Sequence, residues 1–162
     1  MKLCQRFTEF AERASVRVVL DTNVLISGLL WLGAPHHVLG LAESGEIELC
    51  ATPSLLEELH DALSRPKFRA PIHRRRTSVD ELVASVAAKV RLYDVTPRIV
   101  EPRLRDRDDV ILLACARAAQ AAYIISGDND LLALESVQSI SILSPSDFLR
   151  LLNKRMNSPA DN

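Results

Sequence analysis

The sequence has few of the residues that cross-link small secreted domains, and it has no stretch suited to a membrane. Its three cysteines, Cys4, Cys50 and Cys115, lie far apart and form no CxxC pair. Such a set argues against a disulfide framework or a zinc site and favours a reducing compartment. No run reaches the ~18 consecutive apolar residues that cross a bilayer, and the charged N-terminus does not resemble a signal peptide. We therefore expect a cytoplasmic protein that does not associate with membranes.

Aromatic residues and net charge are also scarce. Aromatics make up 4% of the 162 residues, and the formal net charge is −1. A chain of this length supports one domain. Its core must consist of Leu, Val, Ile and Ala, which favours helices packed on a buried sheet. Because the molecule is nearly neutral, a polyanion would have to bind a local basic patch.

Strand and helix patterns alternate along the chain. Apolar, β-branched runs predict strands buried on both faces at 16–20, 122–126 and 139–143, with weaker candidates at 47–51 and 90–95. Helical spacing occurs at 34–44, 53–64, 79–90, 108–120 and 145–152. About five alternations predict an α/β domain with helices on both faces of a parallel sheet. We assign 1–15 to an N-terminal extension, 16–152 to the domain and 153–162 to a flexible tail.

Acidic residues follow two of the predicted strands. Asp21 comes directly after the first strand, and Asp128 follows the 122–126 strand through Gly127. The carboxyl ends of parallel strands lie at one edge of a sheet, where ligands bind. The predicted helices add further acids near their starts, namely Glu57, Glu58, Asp106, Asp108 and Asp109.

Each of these acids also fits a purely structural role. Asp106 is a plausible N-cap, and Glu57 would complete a capping box if Ser54 were the N-cap of its helix. An Asp after a strand is often a turn former. The coincidence of Asp21 and Asp128 at two strand ends favours a shared site over either acid alone.

Four converging carboxylates call for a cation. At ~8 Å and an effective dielectric of 20, each pair repels by about 2 kcal/mol, so the whole set approaches ~12 kcal/mol as an upper bound. That is comparable to the ~5–15 kcal/mol stability of a domain. Oxygen ligands suit Mg²⁺ or Mn²⁺, and such an ion beside a basic segment suits phosphodiester hydrolysis.

The ordered set of motifs resembles the PIN-domain family. The residues that carry the resemblance are "VLDTNVLISGLL" (19–30), "TPSLLEELHDALSRPKF" (52–68), "DRDDVILLACARAAQAAYIISGDNDLL" (106–132) and "ISILSPSDFLRLL" (140–152). The chain is most similar to the bacterial branch labelled as toxins of toxin–antitoxin systems. The resemblance implies a three-layer sandwich with a five-stranded parallel sheet flanked by helices. It also implies a Mg²⁺- or Mn²⁺-dependent ribonuclease that leaves a 5′-phosphate and a 3′-hydroxyl.

The family pattern also assigns roles to individual residues. The four catalytic and metal-binding acids would be Asp21, Glu58, Asp109 and Asp128, with Asp130 as an auxiliary ligand and Asn23 and Ser126 as supporting residues. Helical periodicity alone does not separate Asp109 from Asp108, because that helix is apolar nearly all round. The resemblance further implies an RNA substrate, a cognate antitoxin and a homodimer as partners. The N-terminal extension departs from the family, whose first strand usually begins the chain.

A basic, proline-containing connection at 65–77 is the candidate RNA-backbone contact. Its cations are Arg65, Lys67, Arg69, Arg74, Arg75 and Arg76. Binding of this kind weakens steeply with salt. The same composition fits a solvated, mobile loop equally well.

Three other functions fit parts of the pattern. A haloacid-dehalogenase-like phosphatase would use a strand like "LDTNV", but Asn23 replaces the second Asp that such enzymes need. A receiver domain would need paired acids after the first strand. A catalytically silent PIN-like module that binds RNA or protein shares the fold, although the complete set of acids argues against it.

Overall fold

The structure, a computed structural model, describes residues 15–96 and 101–157. The strands within these residues are β1 (Val16–Leu20), β2 (Ile47–Ala51), β3 (Val90–Leu92), β4 (Tyr123–Ile125), β5 (Ser136–Val137) and β6 (Ile140–Leu143). The helices are α1 (Thr22–Leu30), α2 (Ala34–Glu43), α3 (Pro53–Leu63), α4 (Arg69–Arg74), α5 (Val79–Ala87), α6 (Arg107–Ala118), α7 (Asn129–Leu132) and α8 (Pro145–Asn157), with a 3₁₀ turn at Pro66–Phe68. The predicted N-terminal extension lies outside the described residues except for Ser15.

The strands form one sheet in the order β3-β2-β1-β4-β6-β5. Every neighbouring pair is parallel except β5 and β6. The predicted parallel α/β sheet is therefore confirmed, with a sixth, antiparallel strand added at its edge. The turn that joins β5 to β6 places Gln138 and Ser139 at positive φ, as two-residue hairpins require. A strand of two residues has too little apolar pattern to be recognised in the sequence.

Both faces of the sheet are covered, as the uninterrupted apolar strands predicted. Successive residues of one strand point to opposite faces. Val18 and Leu20 of β1 pack in one cluster with residues from α1, α2, α3, α5 and α8. Val19, between them, packs in a second cluster with residues from α6. These two apolar layers give the three-layer arrangement.

Three segments differ from their predicted form. The α1 helix was not anticipated, because it follows β1 after a single residue and continues the same apolar run. The basic connection is helical rather than a loop, because Phe68 and Ile72 are buried and anchor it to the core. The α8 helix continues to Asn157, five residues past its predicted end at 152. Its last turn carries Lys154 and Arg155, whose charges favour a helix C-terminus.

No single helix in the described part of the chain is long and apolar enough to cross a membrane. The pair α1 and α2, bent by 91° at the break between them, meets that test by length and composition only.

The contact between α1 and α2 depends on Gly28. A Cβ atom at this position would lie 2.7 Å from Leu39 Cδ1 and 2.8 Å from the Pro35 carbonyl oxygen. We expect Gly28→Ala to lower the free energy of unfolding by about 1–3 kcal/mol through overpacking. Gly40→Ala on α2 is the matched control, because its Cβ would meet nothing within 4 Å, and a mid-helix alanine should stabilise by ~0.5–1 kcal/mol. Urea denaturation of both variants tests the contrast, and equal effects would contradict it.

Candidate active site

The acidic residues gather at the point where the strand order reverses. The chain proceeds from β1 to β2 and β3 on one side, whereas β4 and β6 lie on the other side of β1. Open α/β sheets bind ligands at such a switch point, beyond the carboxyl ends of the strands. Asp21 and Asp128 follow β1 and β4, the two strands that flank it. The backbone N–H of Asp21 donates to the Ile125 carbonyl at 2.9 Å, which joins the two strand ends.

Ser126 connects these two acids directly. Its side chain is fully buried, and its Oγ donates to Asp21 Oδ2 at 2.8 Å. The same Oγ accepts from the backbone N–H of Asp128 at 3.0 Å. One hydroxyl therefore fixes the Asp21 carboxylate and the backbone of the turn that carries Asp128.

Both acids also cap helices. Asp21 Oδ1 accepts from the Asn23 backbone at 3.3 Å, at the start of α1. Asp128 Oδ1 accepts from the Asp130 backbone at 2.8 Å, at the start of α7. Each carboxylate oxygen has two lone pairs, so these bonds leave capacity on every oxygen. A capping role and a ligand role are compatible at the same residue.

Glu58 faces this group from α3. Its side chain is half-buried, and burial raises its pKa by penalising the charged form. A hydrogen bond from the Thr22 side chain acts in the opposite direction, while the charges of Asp108, Asp21 and Asp106 raise the pKa further. Glu57, its neighbour, is exposed. Burial therefore separates the two glutamates that the sequence placed side by side.

Asp109 is the most perturbed carboxylate of the group. Its pKa is raised from 3.8 to about 6, first by burial and then by the charges of Asp106, Asp21, Asp128 and Asp108. Asp108 is exposed, one residue earlier on α6. The structure thus separates the pair that helical periodicity left unresolved. It also places Asp109 within the field of both strand-end acids.

Within residues 15–96 and 101–157, none of Asp21, Glu58, Asp109 and Asp128 forms an ion pair with a basic side chain. The side chains of Asp21, Glu58, Asp109 and Asp128 offer a metal ion only carboxylate oxygens as ligands. Such oxygens suit hard divalent cations. In the described part of the chain, no group of three or more His, Cys, Asp or Glu side chains is already arranged to hold a metal ion. The donor chemistry fits Mg²⁺ or Mn²⁺, and a bound cation would oppose the effects of burial and of neighbouring charges that raise the pKa of Asp109.

Several residues chosen from the sequence have other surroundings. The contact of Asn23 with Asp21 comes from its backbone, so its side chain is not what holds the carboxylate. Asp130 is exposed and lies in the first turn of α7, after the cap Asp128, so the alternative that Asp130 is a cap is wrong. The capping box at Ser54 and Glu57 is also wrong, because Thr52 is the N-cap of α3. Asp106 is an N-cap, as predicted.

All six cations of the basic segment are exposed, at Arg65, Lys67, Arg69, Arg74, Arg75 and Arg76.

Sequence reasoning missed two threonines that support the site. Thr22 is buried beside Asp21 and its side chain acts to lower the pKa of Glu58, and Thr52 accepts from the Leu55 backbone at 3.2 Å to start α3. The order Thr52-Pro53 carried a signal for the second, because proline is favoured directly after an N-cap. Nothing in the sequence indicated that Thr22 would reach another helix.

Removing the Thr22 hydroxyl should change the titration of Glu58. We expect Thr22→Val to raise the pKa of Glu58 further, because the hydrogen bond that favours its charged form is lost. Carboxyl ¹³C NMR titration measures this directly. Thr77→Val is the control, since the Thr77 hydroxyl donates to Glu81 at 2.8 Å. An unchanged Glu58 titration in Thr22→Val would contradict the assigned contact.

The sheet and its acidic switch point define a mostly parallel α/β domain with carboxylates at its strand ends, and comparisons with known proteins identify it further. The sequence model described as "PIN domain" matches residues 17–130. An uncharacterized protein of Methanocaldococcus jannaschii is 32% identical over 127 residues, which are 78% of this chain and 79% of that one. The chain belongs to the PIN-domain family.

A solved structure shares the fold. VapBC2 from Rickettsia felis, bound to a DNA fragment from its promoter, aligns with a TM-score of 0.54 at 11% identity. The alignment covers 78% of this chain and 97% of that one. The likeness confirms the PIN-like arrangement of sheet and helices.

Proposed function

We propose that this protein is a divalent-metal-dependent ribonuclease that hydrolyses RNA phosphodiester bonds. One observation carries the proposal: Asp21 and Asp128 follow the two strands that flank the switch point of a PIN-family sheet, and burial together with the charge of Asp21 raises the pKa values of Glu58 on α3 and Asp109 on α6. The pKa of Asp109 is raised to about 6, first by burial and then by the charges of Asp106, Asp21, Asp128 and Asp108. Perturbed acids in such a position are typical of functional sites.

Mg²⁺ or Mn²⁺ would be held by Asp21, Asp109 and Asp128, with Glu58 as a further ligand or a base. A bound ion of this type supplies Lewis acidity, which favours ionisation of water and offsets charge on the phosphate. Asp130 lies in the first turn of α7, beyond Asp128, and is proposed only as an auxiliary ligand.

The protein's own groups position and activate the reactants. Ser126 holds the Asp21 carboxylate in one orientation. The lone pairs of the carboxylate oxygens that accept no hydrogen bond therefore point in a fixed direction. Glu58, whose pKa is raised by burial, accepts a proton from the attacking water. A base is most effective when its pKa approaches the working pH, and the raised pKa of Glu58 is consistent with that role. We expect in-line attack that leaves a 5′-phosphate and a 3′-hydroxyl.

We further propose that the ribonuclease is the toxin of a toxin–antitoxin pair in the cytoplasm. The fold shared with VapBC2, a toxin–antitoxin complex solved on a fragment of its promoter DNA, supports an antitoxin partner. A homodimer is a second proposed assembly. Co-expression of this chain with the gene next to its own, followed by copurification, tests the first partner, and light scattering tests the second.

The catalytic proposal is tested with labelled single-stranded RNA and Mn²⁺, Mg²⁺ or EDTA. Wild type should cleave only with a divalent ion, and Asp21→Asn should cleave at least ~100-fold more slowly, a loss of about 2.7 kcal/mol of transition-state stabilisation. Asp61→Asn is the control, because Asp61 is an exposed acid near the end of α3. Equal cleavage by wild type and Asp21→Asn would refute the site. Ion binding without cleavage of any RNA would favour the silent binding module instead.

A further inference from the structure

We propose that Trp31 and the basic segment (residues 65–76) form a docking surface for single-stranded RNA, with Trp31 stacking on an unpaired base. This inference rests on the proposed ribonuclease function and names the surface on which the RNA docks. The exposure of one aromatic side chain, its neighbours in space and the charge around it carry the argument.

Trp31 and Leu32 lie at the corner between α1 and α2 and are exposed. Their exposed fractions are 47% and 82%, and within the described residues they are the two large apolar side chains that face solvent side by side. Scattered exposed apolar residues need no explanation, but a tryptophan beside a cationic surface is the arrangement that binds unstacked bases.

The basic segment lies against this corner. The ring centroids of Trp31 and Phe68 are 6.3 Å apart and tilted by 58°. Lys67 Nζ stands 4.9 Å from the Phe68 ring centroid. The Arg75 guanidinium donates to the carbonyl of Leu30, the last residue of α1. The aromatic corner and the cations therefore belong to one continuous surface.

The charge of the segment favours a polyanion. Residues 65–76 contain six Arg and Lys residues and no Asp or Glu. Across residues 15–96 and 101–157, none of these six cations forms an ion pair within the protein. A symmetric contact with a second copy would place the same cations against each other, which opposes self-association through this surface. The phosphate groups of RNA would neutralise these cations, and an unpaired base would stack on Trp31.

The surface is within reach of the acidic site along one helix. Asp21 caps the start of α1, and Arg75 binds its end. Nine residues at 1.5 Å each give a separation of about 14 Å. At ~3.4 Å per stacked nucleotide, about four nucleotides span that distance. An RNA held at Trp31 can thus place a phosphate a few nucleotides away at the carboxylates.

Trp31 is the sole tryptophan of the chain, so its emission reports binding directly. The full-length protein is titrated in EDTA with a single-stranded RNA of about 12 nucleotides, roughly the upper range of single-strand site sizes, and with the same sequence as a duplex. We expect the single strand to quench Trp31 emission and the duplex to bind at least ~10-fold more weakly. Binding should also weaken steeply as salt rises.

Variants separate stacking from charge by anisotropy of labelled RNA. Trp31→Ala should weaken binding by roughly 10- to 100-fold, the range for loss of one base stack, and Trp31→Phe should retain most of the affinity. Lys67→Gln with Arg69→Gln should weaken binding and reduce its salt dependence. Arg150→Gln, which changes a cation paired with Asp147 on α8, should bind as wild type does.

Three results would overturn the proposal, and none depends on cleavage. The first is unchanged Trp31 emission at saturating single-stranded RNA. The second is equal quenching by an acidic peptide, which would indicate a protein partner. The third is a change in Trp31 emission per molecule as the protein concentration rises without RNA, together with a dimer in light scattering. This result would indicate a contact between copies. If single-stranded RNA quenched Trp31 emission but the wild-type protein cleaved no RNA, only the catalytic proposal would be refuted.

Discussion

Asp109→Asn is expected to make the protein more stable and at the same time inactive. The raised pKa of Asp109, about 6 instead of 3.8, shows that its charge is unfavourable in the folded state. The difference corresponds to at most about 3 kcal/mol. Because Asp109 is only half-buried, solvent screening reduces the benefit of removing its charge to ~1 kcal/mol. RNA cleavage should fall at least ~100-fold, since one of the four carboxylates is lost.

Thermal unfolding in EDTA and RNA cleavage with Mn²⁺ measure the two effects separately. A gain of ~1 kcal/mol raises the Tm of a domain of this size by about 2–4 °C. Asp108→Asn is the matched control, because it removes the same charge from an exposed position one residue earlier. If Asp109→Asn lowered the Tm, or Asp108→Asn reproduced its loss of cleavage, the assignment of Asp109 would be wrong.

The gain from Asp109→Asn should depend on pH in a defined direction. Between pH 3.8 and about 6, the folded protein binds more protons at Asp109 than the unfolded chain does. Stability therefore falls as pH rises through that window. Wild type in EDTA should lose stability relative to Asp109→Asn across this same window, and the difference should be constant above it. Chemical denaturation at fixed pH values checks this course.

Ser126→Ala should impair the site without removing a carboxylate. The variant deletes the hydrogen bond to Asp21 Oδ2 and leaves the Asp128 backbone N–H without its acceptor. Loss of a buried hydroxyl that serves two partners costs about 1–3 kcal/mol of stability. Groups that orient metal ligands typically affect affinity or activity by roughly 10- to 100-fold. We expect a decrease of that size in cleavage, with a higher Mn²⁺ concentration needed for half-maximal activity.

Ser144→Ala is the matched control for Ser126→Ala. Ser144 Oγ accepts from the Asp147 backbone at 3.1 Å, at the start of α8. This variant should lose about 1 kcal/mol of stability, as capping substitutions do, and keep its Mn²⁺ dependence. Urea denaturation and a Mn²⁺ titration of cleavage distinguish the two variants. Equal Mn²⁺ dependence in all three proteins would mean that Ser126 does not orient the site.

The strand-end acids could be predicted from sequence because their positions follow from the sheet. Apolar runs without polar alternation predict buried parallel strands, and Asp21 and Asp128 closely follow two of them. The helix acids could not be resolved in this way. The α6 helix buries every residue from Leu112 to Ala116, so no polar stripe marks which of Asp108 and Asp109 faces inward. Only packing against the sheet decides that choice.

The other features that the sequence did not predict have a common physical cause. Thr22 and Phe68 act through contacts with residues far away in sequence, on α3 and at Trp31, which local patterns do not record. The basic segment is rich in cations and prolines and was interpreted as a connection. Two buried apolar side chains, Phe68 and Ile72, are enough to order it as helix.

The contact between Ser126 and Asp21 also bears on the order in which the acidic site is assembled during synthesis. These residues are 105 positions apart in the sequence. Strands β1, β2 and β3 can pair early, but the other edge of β1 stays open until β4 emerges from the ribosome. Such long-range parallel pairing is slow and comes late in folding. A nascent chain therefore carries Asp21 and Glu58 before Asp109 and Asp128 have been synthesised, and the acidic site is assembled only once the domain is nearly finished.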